Sequence, residues 1–231
     1  MSCTECGRKG GCDAHKGAMF AALDEALARL SPTRRWGELD EAAAFAGGLA
    51  PGEGEALAAA LAGRLKAATL FRPGEPDETC DYVYILCVGR PPGLIELREG
   101  ALACEDAAAL EAAIVESPVE EVYLRVSLST LVRFAAVQEV TVTAEAEGPR
   151  VVVTEAPRAG VFAPPLLSRL RKLVAVLAEH GVRHLDFGEI IEAPAGFEAG
   201  DYPAHWGGAP AIANYLFYPQ APATVSTTTL T

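Results

Sequence analysis

The sequence predicts an α+β protein, on three observations. DYVYILCVG and EEVYLRVSL have the β-branched and aromatic content of buried strands. PPLLSRLRKLVAVLAEHG repeats its apolar residues at helical spacing. Helical and strand stretches mix without strict alternation, which points to a mixed or antiparallel sheet packed with helices. Half of the 231 residues are apolar, enough for one large domain or two small ones with a buried core.

Four regions follow along the chain. Residues 1–17 form a head rich in Gly and Cys, and residues 18–76 a helical region. In the latter, Met19, Phe20, Leu23, Leu27 and Leu30 share one helical stripe that Pro32 ends. DEAAAF is compatible with a short helix. A further helix is expected over 53–68, with Leu57, Leu61 and Leu65 four residues apart. The turn formers of RPGEPDE then divide this region from an α+β core at 77–192.

The core opens with the strand DYVYILCVG, for which RPPG supplies a turn and LIELRE a return strand. EDAAALEAAIVES is a helix with an acidic start, closed by Pro118. EEVYLRVSL is the next strand, and TLVRFAAV reads as a short helix. EVTVTAEAEGPRVVVTEA forms a hairpin, with Val140, Val142 and Ala144 alternating against Thr141 and Thr143. A long helix has Pro164 and Pro165 at its start and Gly181 at its end. Its buried stripe is Leu166, Leu170, Leu173, Val174 and Leu177. RHLDFGEI is a last short strand, and 193–231 an extended tail rich in Pro and aromatics.

A formal charge of −12 repels nucleic acid and anionic membrane unless a basic face is segregated. Arg169, Arg171 and Lys172 make no such face, because Glu179, Asp186 and Glu189 follow closely. No stretch has the length of a membrane span, and the polar MSCTECGRKG does not resemble a secretory signal. The expectation is a cytoplasmic protein whose six cysteines serve as thiols or metal ligands rather than disulfides.

The strongest chemical signal is CTECGRKGGCDAHKG, which spaces Cys3, Cys6, Cys12 and His15 as C-x2-C-x5-C-x2-H. Two residues between ligands let a tight turn offer both to one ion, and two such pairs complete a tetrahedron. Gly7, Gly10 and Gly11 can take positive φ and turn backbone N–H groups toward sulfur. Arg8 and Lys9 offset the net negative charge of three thiolates around a divalent ion. Over these residues only, the segment resembles zinc-knuckle and rubredoxin-type turns. Zinc is favoured because four local ligands need no distant partner. The alternative is a [4Fe–4S] cluster on Cys3, Cys6 and Cys12, with His15, Cys80, Cys87 or Cys104 as the fourth ligand. Cys87 has the strand parity of Val83 and Ile85, which suits a core position, and Cys80 has the opposite parity.

Two further places could hold chemistry. His180, His184, Asp186 and Glu189 crowd a helix end and a strand, where a helix C-terminus beside a favourable His180 explains them without a site. Tyr202, His205, Trp206, Asn214, Tyr215, Phe217 and Tyr218 fill the tail, and so many aromatics need the protein's own core or a partner to lie on. The nucleotide-binding, hydrolase and zinc-protease motifs GxGxxG, GxSxG and HExxH do not occur. The expectation is therefore a non-catalytic metal-binding accessory or structural subunit, with a protein partner reached through residues 200–231. Iron–sulfur electron transfer or cluster handling is the alternative, and an enzyme with a site near His184, Asp186 and His205 the weakest reading.

Overall fold

A computed structural model describes residues 13–36, 40, 46–50, 52–73, 82–89, 91–98, 100–147, 150–158, 162–186, 190–199, 210–217 and 226–230. For 13–18, 150, 157, 158, 186 and 226–230 it describes the backbone alone. The helices are α1 (Asp13–Leu30), α2 (Glu53–Leu65), α3 (Gly93–Arg98), α4 (Cys104–Glu116), α5 (Pro164–Glu179) and α6 (Ile212–Phe217). The strands are β1 (Ala68–Phe71), β2 (Val83–Val88), β3 (Val119–Ser129), β4 (Phe134–Glu147), β5 (Arg150–Arg158), β6 (Arg183–Asp186) and β7 (Ser226–Leu230). Helices and a largely antiparallel sheet together give the expected α+β class.

The sheet runs β1-β2-β3-β4-β5-β7, each neighbour antiparallel, with β6 added parallel to β4. The 14 residues of β4 organise it. One edge of β4 pairs with β3 over 135–144. The other edge is shared, with β6 opposite 134–137 and β5 opposite 139–147.

Alternation along the strands sorts their side chains onto two faces, and helices cover both. On one face, Leu86, Leu124, Val126, Ala135 and Val137 pack with Leu57 and Leu61 of α2 and Leu166, Leu173 and Leu177 of α5. On the other, the first half of β4 (Phe134, Ala136) packs with α1 and α6, and the second half (Val140, Val142, Ala144) with α3 and α4. In α5, Val176 takes the buried place expected of Val174. In α1, Leu23, Leu27 and Leu30 are buried as expected, whereas Phe20 is exposed. Among the described residues no helix is long and apolar enough to cross a membrane.

The secondary structure also differs from expectation in several segments. LIELR, residues 94–98, belongs to helix α3 rather than to a return strand. Both neighbour positions of β2 are taken by β1 and β3, so no slot is open beside it. The Glu121 carboxylate accepts the N–H groups of Gly93 (3.0 Å) and Leu94 (2.6 Å) and starts the helix there. TLVRFAAV is not a helix but the β3–β4 connection and the first four residues of β4. Ser129 Oγ accepts the N–H groups of Leu131 and Val132 and so fixes that connection.

The helix expected over 53–68 stops at Leu65, where Lys66 turns left-handed (φ 53°) and Ala68 begins β1. The tail is not extended over 212–217: these residues are α6, and Leu216 and Phe217 are buried against α1. Ser129 Oγ donates to the Leu216 carbonyl at 2.5 Å. Of the expected helix DEAAAF, residues 41–45 lie outside the described residues.

Candidate functional site

Cys3, Cys6 and Cys12 lie outside the described residues, as do Cys80 and His205. His15 falls in the first turn of α1, and Cys12 is the residue before that helix begins. Helix α1 therefore carries the end of the C-x2-C-x5-C-x2-H pattern into the folded body. Among the described residues, no three His, Cys, Asp or Glu side chains come together as a metal site.

Cys87 behaves as its strand parity implies. It is fully buried on β2 in the cluster that α3 and α4 cover. Burial pushes its thiol up to about 12, against smaller opposing effects of the Arg125 and Arg169 guanidiniums. With its residue fully buried among apolar side chains, Cys87 is placed as a small apolar group. Cys104 is exposed at the first position of α4. In the folded chain at pH 8, a maleimide reagent should label Cys104 within minutes and leave Cys87 untouched until denaturant is added. Rapid native labelling of Cys87, read by peptide mass, would contradict its placement.

His184 and Asp186 lie on β6 opposite Ala135 and Val137. Of the three residues in the enzyme reading, only His184 has a described side chain, and it is half-buried.

Register creates one polar cluster that sequence spacing does not reveal. Val142 of β4 faces Glu155 of β5 on one side, and Val140 faces Tyr123 of β3 on the other. Tyr123, Arg125 and Glu155 thereby share the sheet face covered by α3, which brings Arg98 to the same carboxylate. Arg125 Nη2 lies 2.5 Å from Glu155 Oε2, and Arg98 Nη1 lies 3.2 Å from Oε1. The Tyr123 hydroxyl donates to Oε1 at 3.2 Å and accepts from Arg125 Nη2 at 2.8 Å. The Glu155 side chain is only 6% exposed.

Burial alone would raise the pKa of Glu155. The Arg125 and Arg98 guanidiniums, with the hydrogen bonds from Arg125 and Tyr123, outweigh it and hold the carboxyl below its usual range. Burial likewise raises the Tyr123 phenol, despite Arg125. A carboxylate kept ionised between two cations is a poor proton acceptor. The cluster joins β3, β5 and α3 rather than offering an acid or base. Its only trace in the sequence is a charged residue inside each of two apolar strands, Arg125 and Glu155.

A cleft of about 640 Å³ opens between α3, α4 and the start of β3, lined by Pro92, Glu96, Leu102, Asp106, Leu110 and Glu121. Glu121 is occupied there with the α3 backbone. Searches for similar proteins find no matching family model, no matching curated protein and no matching solved structure.

Proposed function

We propose that this chain is a non-catalytic, cytoplasmic metal-binding protein that acts as an accessory or structural subunit of a larger assembly. Zn²⁺ is held by Cys3, Cys6, Cys12 and His15. One observation carries the reading: the pattern of four soft ligands within thirteen residues runs directly into α1, a helix whose later turns are buried. A head with so few apolar residues cannot fold on burial alone, and metal–ligand bonds supply what burial does not. The full burial of Cys87 on β2 speaks against that residue as a distant fourth ligand, and so supports zinc over a cluster completed by Cys87.

The ligand set is tested by substitution. Cys3→Ser, Cys6→Ser and Cys12→Ser should each lower the metal retained through gel filtration at least tenfold. Cys87→Ala should leave it unchanged. Full metal content in Cys12→Ser would sink the assignment. Cluster absorption near 400 nm that disappears with Cys104→Ser would transfer the reading to iron–sulfur chemistry.

A further inference from the structure

We propose that β7 is an exchangeable strand: the outer edge of β5 takes β7 from a second copy of this chain, and the two copies trade strands to form a closed dimer. The proposal stands apart from the metal site and needs none of its residues.

Strand β5 is apolar where it would otherwise end the sheet. Its residues 151–155 read VVVTE, and Val152 and Val153 are buried. One edge of β5 pairs with β4 along its whole length. The other edge meets β7, from Val151 opposite Leu230 to Glu155 opposite Ser226, and β7 ends the sheet. An uncovered edge of this kind is a template for another extended chain. Strand β7 reads STTTL, with one apolar residue in five. Its sequence therefore offers mainly backbone pairing, which is the same from either copy.

Chain reach separates the two arrangements. Leu216, near the end of α6, is fixed beside the end of β3, where its carbonyl accepts from Ser129 Oγ. Ser226 starts β7 opposite Glu155, which itself lies opposite Val142 of β4. Leu128 pairs with Ala135, so Ser129 is level with Phe134. The strand from that level to Val142 is about 26 Å long. Three strand spacings from β3 to β7 add about 14 Å sideways, so the two points lie about 30 Å apart. Residues 218–225 make the connection, and Pro219 and Pro222 are among them. A chain of that length reaches about 28 Å at the polyproline rise and about 32 Å at full stretch. The route within one chain takes the whole reach of the connection. Short connections at their limit favour exchange of the element between copies, because the dimer keeps every strand pair and removes the limit.

The test uses the full chain. Sedimentation over about a hundredfold range of concentration should show monomer giving way to dimer. Inserting about eight Gly and Ser residues after Pro222 gives the route within one chain ample reach, and should weaken the dimer about tenfold or more. A chain carrying Thr154→Cys and a chain carrying Thr227→Cys are then unfolded together in urea, refolded at high concentration and oxidised. The dimer should contain a disulfide between position 154 of one copy and position 227 of the other, because these residues are opposite in the β5–β7 register. Peptide mass spectrometry reads the link.

A chain that stays monomeric at every concentration would overturn the exchange. A dimer that keeps its affinity after the insertion, or after removal of residues 226–231, would also overturn it, since its interface would lie elsewhere. Absence of the link between copies in the isolated dimer would do the same.

Discussion

Glu155→Gln should destabilise the protein by about 3–5 kcal/mol, the range for removing one partner of a buried ion pair. Arg98 and Arg125 both point at this carboxylate, and their side chains are only 19% and 21% exposed. The glutamine keeps the shape but leaves guanidinium charge in a partly dry site. Urea unfolding followed by far-ultraviolet dichroism reads the change, with an unchanged slope showing that the folded state is intact. A loss below about 1 kcal/mol would place the pair in the class of exposed salt bridges and contradict its burial.

The pH dependence has a definite sign. The folded pKa of Glu155 lies below its unfolded value. Its contribution is therefore complete above the ordinary glutamate range and disappears as pH falls through the depressed folded value. The wild type should lose stability on the acid side more steeply than Glu155→Gln, and the two curves should converge at low pH.

Phe217→Ala should cost about 3–5 kcal/mol, the range for truncating a buried phenylalanine. Phe217 is 1% exposed and lies in the cluster that joins α6 to α1 and β4. Phe20→Ser on the outside of α1, where the ring is 42% exposed, should change stability by no more than about 0.5 kcal/mol. The contrast separates a helix packed into the core from a tail lying on it. If Phe217→Ala were as mild as Phe20→Ser, α6 would not be part of the core.

These residues also show what sequence pattern can and cannot reveal. The β4–β5 hairpin was legible because Val140, Val142 and Ala144 alternate with threonines, and α5 because Leu166, Leu173 and Leu177 recur at helical spacing. The core position of Cys87 followed from its parity with Val83. Helix α3 was not legible. Six residues are too few to show a period, and Glu121, which caps it, is 27 residues away from Leu94. The start of β4 misled for a different reason. FAAV is buried on both faces of the sheet, so no polar residue marks the alternation. Helix α6 was hidden in a stretch of proline and aromatics whose pattern gave no sign that the core would close over it.

The candidate sites divide in the same way. Arg125 and Glu155 are 30 residues apart and meet only through the pairing of three strands, so spacing could not couple them. The four residues proposed as ligands in the head fall within thirteen residues, so the proposal for them comes from spacing alone.

Metal analysis of the full-length chain, purified without added metal or chelator and under exclusion of oxygen, tests that claim most directly. The expected result is a colourless protein with about one zinc per chain. A protein without bound metal, or a brown one carrying iron and absorbing near 400 nm, would contradict it.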